Sequence, residues 1–157
     1  NTEGSTLKIT MLKSGTFPHP TADQCRHLFT YSLLPHAGSF KEANVIQEAY
    51  SLNQPLDAVK VAENKGSLAD RFSLIQCNER NVVVETVKMA EDDDSMVVRL
   101  YEAFDSRGEV TLSLGADFKK AFICGLCENE LEEIEIKDNT VTFPIKNFEI
   151  VTLKFKR

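Results

Sequence analysis

Glu85 and Glu102 are the two residues of this 157-residue chain whose types and spacing come nearest to a reaction centre. Glu85 shares a strand face with Val83 and Val87, and Glu102 shares one with Leu100 and Phe104. A hairpin centred near Asp93 brings the two carboxylates close to opposite each other. Facing carboxylates suit glycosidic bond cleavage with retention, one as nucleophile and one as acid/base. The competing reading puts both at wet or edge positions of a sheet, paired with Arg99 or Lys88. No long loops surround them to form a cleft, which speaks for that second reading.

Other constellations are thinner. His19, His27 and His36 with Asp23 offer ligands that suit zinc. Their spacings of eight and nine residues put no two on one helical turn, so loop histidines are the plainer reading. Cys124-Gly-Leu-Cys127 has the spacing of half a zinc site or of a redox pair, yet a structural zinc needs four ligands and no second Cys-x-x-Cys exists. The pair also ends the apolar run Ala121-Phe122-Ile123 instead of opening a helix. With Cys25 and Cys77 it makes four widely spaced cysteines, which read as thiols in a reducing compartment. No Gly-x-Ser-x-Gly nucleophile turn and no glycine-rich phosphate loop is present. For stacking on a sugar face, the candidates are Phe29, Tyr31 and Tyr101, in a chain without tryptophan.

The elements that must position these residues are strands. From Asn81 to Leu114, three runs rich in β-branched and aromatic residues are separated by Glu91-Asp-Asp-Asp-Ser95 and Asp105-Ser-Arg-Gly108, which predicts a three-stranded antiparallel meander. Like charges gathered at Asp92, Asp93 and Asp94 place the first turn at a sheet end in water. Strand patterns also cover Leu7–Leu12, His27–Leu34, Phe72–Cys77, Asp117–Leu126, Leu131–Ile136, Thr140–Ile145 and Phe148–Lys156. In Leu131–Ile136 the apolar positions change face, which predicts an irregularity near Glu132. One helix is expected after the capping box Ser39-Phe-Lys-Glu42, with Val45, Ile46, Ala49 and Tyr50 on one face and Asn53 and Pro55 ending it. Val61–Asp70 reads as a linker. Short strands at this spacing, joined by local turns, predict an all-β antiparallel β-sandwich with one short helix.

Composition narrows the partners. Hydrophobic residues make up 42% and charged residues 27%, with a net charge of −6. That balance is globular and argues against nucleic acid and anionic membranes as partners. No apolar run nears the roughly twenty residues that span a bilayer. The polar start Asn1-Thr-Glu-Gly-Ser-Thr6 is no signal peptide and reads as an artificial boundary or the middle of something longer.

Three stretches together carry a resemblance. Leu12-Lys-Ser14, then Pro18, Pro20, Ala22-Asp-Gln24 and His27-Leu-Phe-Thr-Tyr-Ser-Leu-Leu-Pro-His36, are similar in order and spacing to a segment of the glycoside hydrolase family 38 α-mannosidases. So are Glu48-Ala-Tyr-Ser-Leu-Asn-Gln-Pro-Leu56, and Val84-Glu-Thr-Val-Lys-Met-Ala-Glu-Asp92 with Val98-Arg-Leu-Tyr-Glu102. The chain resembles the bacterial and cytosolic branch, with Lys13 where the pattern usually has arginine. The resemblance implies large, retaining, zinc-dependent exo-α-mannosidases whose metal ligands and aspartate nucleophile lie in an N-terminal catalytic domain. None of those motifs falls on this chain, so no catalytic or metal residue is carried over.

The expectation is therefore a non-catalytic C-terminal fragment. Residues 1–60 would be terminal strands and a helix of a β-supersandwich, 61–70 a linker, and 71–157 a small C-terminal β-sandwich. Its implied partners are the catalytic and helical domains of a cytoplasmic parent enzyme. A mannoside ligand, a carbohydrate-binding role and homo-oligomerisation are the alternatives.

Overall fold

The computed structural model describes residues 2–4, 6–63, 65–67 and 69–157. Asn64 and Leu68 of the expected linker, and Asn1 and Ser5 of the polar start, lie outside the described residues. The elements in order are β1 (Thr2–Glu3), β2 (Thr6–Leu7), α1 (Val45–Asn53), β3 (Ile75–Cys77), β4 (Val82–Met89), β5 (Met96–Glu102), β6 (Gly108–Leu114), β7 (Lys120–Cys124), β8 (Glu130–Ile134), β9 (Thr140–Ile145) and β10 (Ile150–Lys156). They fall into two units, Asn1–Val59 and Lys60–Arg157.

The second unit is a β-sandwich. Its larger sheet has the order β4-β5-β10-β7-β8 and its smaller sheet β3-β6-β9, and every strand pair is antiparallel. Alternation dictates what each strand buries. Val151, Leu153 and Phe155 of β10 point inward with Val98 and Leu100 of β5, and meet Val110, Leu112, Val141, Phe143 and Ile145 from the smaller sheet. Phe143, Phe155, Leu100, Leu112 and Leu153 are at most 2% exposed. Burying each such side chain stabilises the fold by about 1.5–3 kcal/mol. β10 is central because it pairs along its length with β5 on one side and β7 on the other.

That central placement corrects the expected meander. β4 and β5 form the hairpin, but β6 leaves for the smaller sheet, since the other side of β5 is taken by β10. The crossing starts at Asp105, whose φ of 57° turns the chain and whose Oδ1 accepts a 2.8 Å hydrogen bond from Asn147 Nδ2. Two bulges shape the larger sheet. β4 slips by one residue between Val84 and Thr86, leaving Glu85 without a cross-strand partner. In β8, Leu131 is the extra residue between Glu130 and Glu132, the irregularity expected near Glu132.

All four sheet margins differ from a plain strand. β3 has three residues, β4 carries its bulge, β8 lines up Glu130, Glu132 and Glu133, and β9 contains Pro144.

The first unit holds β1, β2 and α1. The expected strands Leu7–Leu12 and His27–Leu34 are not strands here. Only Leu7 pairs, through Thr2, because alternating residues need a neighbouring backbone that the described residues of this unit do not give them. The capping box closes as expected, with the Ser39 N–H donating to Glu42 Oε2 at 2.7 Å and the Glu42 N–H donating to Ser39 Oγ at 3.3 Å. It tightens a turn, and α1 proper begins only at Val45, after Asn44 in the left-handed region. Val45, Ile46 and Tyr50 are half-buried, whereas Leu28, Leu33 and Leu56 are exposed.

Candidate functional site

The bulge decides the fate of the carboxylate pair. Glu102 pairs with Val82, and Thr86 pairs with Arg99, so Glu85 and Glu102 do not face each other. Glu85 is exposed and accepts from the Thr86 hydroxyl. Glu102 points into the sandwich and is 1% exposed. Its Oε1 accepts from the Phe104 N–H at 2.8 Å and from Asn81 Nδ2 at 3.1 Å, and its Oε2 accepts from the Phe148 N–H at 3.0 Å. Burial pushes its pKa up, but the Phe148 and Phe104 amides and the Asn81 side chain outweigh that and hold it below the ordinary 4.5. A carboxylate with both oxygens so committed is a structural anion rather than a proton donor. Neither the catalytic reading nor the wet-edge reading of Glu102 survives.

The histidines stay local. His27 Nε2 donates to the Asp23 carbonyl at 2.7 Å, and its ring stacks on Phe29 with centroids 5.8 Å apart. His19 meets the Thr21 hydroxyl at 3.4 Å and His36 the Ala37 carbonyl at 3.4 Å. Among the described residues, no group of three or more His, Cys, Asp or Glu side chains is placed to hold a metal ion. Cys25, Cys77, Cys124 and Cys127 are free thiols. Burial, then the Glu130 charge, pushes the Cys124 pKa up, which opposes the thiolate that redox or metal chemistry needs. Phe29 and Tyr31 are exposed in the first unit, and Tyr101 is half-buried on the outer face of the larger sheet.

What sequence reasoning missed is a set of ionic clasps on that outer face. Lys154, 6% exposed, reaches Asp93 at 2.8 Å. The acidic turn therefore folds back on the sheet by one residue while Asp92 and Asp94 stay in water. Lys88 pairs with Glu128 at 2.9 Å and with Glu91, and Glu128 Oε2 accepts from the Glu91 N–H at 2.9 Å. Arg99 donates to Thr152 Oγ1 at 3.2 Å and to the Leu126 carbonyl at 3.1 Å. Lys154 holds Asp93 below its ordinary pKa, and Lys88 does the same to Glu128. Alternation along β10 shows that Lys154 points outward, but not that the acidic turn will fold back to meet it.

One concavity of about 950 Å³ lies in the second unit. Leu74, Val87, Met89, Met96 and Phe118 give it apolar walls, and Lys88, Asp93 and Lys156 on its rim are already ion-paired. Asp94 and Arg157 also line it, and of its two carboxylates Asp93 is held by Lys154. The geometry thus fits a packed support better than a reaction centre.

Comparison with known proteins agrees. Residues 81–153 match the glycosyl hydrolases family 38 C-terminal beta sandwich domain. The chain is 38% identical over 155 residues to human alpha-mannosidase 2C1, an alignment covering 96% of this chain and 15% of that protein. It is 35% identical over 166 residues to alpha-mannosidase G of Dictyostelium discoideum, covering 99% and 15%. Against an alpha-mannosidase of Saccharomyces cerevisiae it is 25% identical over 134 residues, covering 76% and 12%. The chain thus spans about 15% of the length of the first two relatives. With the sandwich, the match across β4 to β10 and relatives aligned along nearly all of its residues, the chain belongs to glycosyl hydrolase family 38, as a C-terminal region of its mannosidases.

Proposed function

We propose that this chain is a non-catalytic bracing piece of a longer retaining exo-α-mannosidase, which hydrolyses α-mannosides with residues outside it. The observation that carries the reading is Glu102: the one carboxylate of the candidate pair on the core face is saturated by three donors. The zinc that the family resemblance implies does not fit these residues, because His19, His27 and His36 are each engaged in separate local contacts. It is assigned to the catalytic part of the parent polypeptide. In this reading residues 1–60 are strands and a helix that complete a larger β-supersandwich, which accounts for strand-patterned side chains such as Leu33 and Phe29 standing exposed. Residues 61–70 link them to the terminal sandwich at 71–157. The parent enzyme is cytoplasmic, and its catalytic and helical domains are the partners.

The test compares two proteins on p-nitrophenyl α-mannoside with added Zn²⁺ or Co²⁺. The long polypeptide that carries this region should release p-nitrophenol, and the 157-residue chain should release none. Metal-dependent release by the pure short chain would overturn the reading. Calorimetry of the short chain with mannose and mannobiose should be silent, whereas binding heat would replace bracing by sugar recognition.

A further inference from the structure

Cys124-Gly-Leu-Cys127 is a pairing of thiols that bracing does not account for, and it sits on a loop with a long reach. Residues 125–129 join β7 to β8 at one side of the larger sheet, yet their anchors lie toward the other side. Arg99 of β5 donates to the Leu126 carbonyl at 3.1 Å, and Glu128 meets Lys88 of β4 at 2.9 Å and the Glu91 N–H at 2.9 Å. With the strand order β4-β5-β10-β7-β8, the loop and its Glu128 side chain form a strap across the outer face. Its own turn is tight. The Glu128 N–H donates to the Gly125 carbonyl at 2.9 Å, and a side chain at position 125 would begin 2.5 Å from Asn129 Oδ1. Glu128 itself holds a φ of 65°, a costly conformation for a glutamate, which the contacts of its carboxylate offset.

The strap divides the two thiols. Leu153 points into the core, so its neighbour Thr152 faces outward, and register sets Arg99 and Cys124 on either side of Thr152 in one outward row. This row belongs to the outer face, but Thr152 is 2% and Cys124 6% exposed. Cys127, three residues on, is exposed. The closed strap thus keeps one member of the pair from solvent while presenting the other.

We propose that the Glu128–Lys88 clasp is the gate of a redox switch: when the strap lifts, Cys124 and Cys127 close into a disulfide by exchange with a low-molecular-weight disulfide such as glutathione disulfide. In the first step the Cys127 thiolate attacks one sulfur of the small disulfide, breaking its S–S bond and releasing one thiol. In the second the uncovered Cys124, its proton passed to solvent, attacks the Cys127 sulfur and releases the second thiol. Two protein thiols are oxidised and one small disulfide is reduced to two thiols. While the clasp is shut, burial keeps the Cys124 thiol protonated and out of reach, and exchange stops at Cys127. Once formed, the bond holds Cys127 against Cys124, draws the adjoining Glu128 away from Lys88 and frees the Glu91 N–H at the start of the acidic turn.

The test incubates the 157-residue chain with glutathione disulfide, quenches in acid, alkylates, and follows the tryptic peptide Ala121–Lys137, which contains both cysteines. Glu128→Gln and Lys88→Gln remove the clasp from its two ends, and each should form the Cys124–Cys127 disulfide about tenfold faster than the unsubstituted chain. Glu85→Gln should keep the unsubstituted rate. Equal rates in all four proteins would overturn the switch, as would a glutathione adduct on Cys127 that never passes to Cys124. Hydrogen exchange separates strap opening from unfolding. In the unsubstituted chain, oxidation should speed exchange of the Glu91 amide about tenfold and leave the Leu153 amide, at the centre of β10, unchanged. Glu91 protection that is the same in both redox states, or Leu153 exchange that speeds up as much as Glu91, would likewise overturn it.

Discussion

Glu102 ties the end of β5 to three other places in the chain: the Phe104 amide that leads toward β6, the Asn81 side chain before β4 and the Phe148 turn before β10. Hydrogen bonds to a charged acceptor contribute about 1.5–3 kcal/mol each, and donors orphaned in the interior cost about as much. Glu102→Gln should therefore lower stability in urea by about 2 kcal/mol, and Glu102→Ala by about 4 kcal/mol. Glu85→Gln, on its exposed bulge, should change stability by less than about 0.5 kcal/mol. Equal effects at the two positions would contradict this assignment. Sequence spacing put both glutamates in strands and put Glu102 on the face of Leu100, and both statements hold. It could not show the slip at Glu85, since a bulge moves one strand against another without altering the alternation on either side. Nor could it show the three donors, which come from segments far apart in the chain.

At the scale of elements, strands whose inward residues alternate cleanly were legible: Thr140–Ile145 coincides with β9, and Phe148–Lys156 contains β10. Alternation reports which face is buried but not which strand lies alongside, so the departure of β6 to the smaller sheet was not legible. The same limit explains Leu7–Leu12 and His27–Leu34, whose patterns ask for a neighbour. All residues of the hydrophobic core cluster, by contrast, fall between Val82 and Phe155. Residues 71–157 made alone should unfold in urea in one cooperative transition, with circular dichroism and tyrosine fluorescence superimposing. Transitions that separate by probe would show that the sandwich needs other parts of the chain.

For the whole molecule, charge pairing sets the response to pH. Glu102 is held below its ordinary 4.5, chiefly by the amides that outweigh its burial, as are Asp93 below 3.8 by Lys154 and Glu128 below 4.5 by Lys88. A carboxylate depressed in the folded state stabilises above its unfolded value, and that stabilisation is lost as pH falls through the folded one. Lys154 and Lys88 are raised above 10.5 by Asp93 and Glu128 respectively, so their share is complete at neutral pH and is lost only in strong alkali. Thermal scans should give a Tm that is flat from about pH 6 to 9 and falls steadily below about pH 4, with Glu102→Gln flattening part of the fall. A Tm that rises on acidification would reverse the assigned signs.

The blunted margins of both sheets bear on company rather than on folding. A truncated strand, a kinked one, a row of glutamates and a proline each deny a stranger's backbone the straight, unpaired ladder that fibril growth requires. This sandwich can thus share a crowded solution with other β-rich chains without seeding cross-β stacks, and it reserves its contacts for side chains instead of backbone.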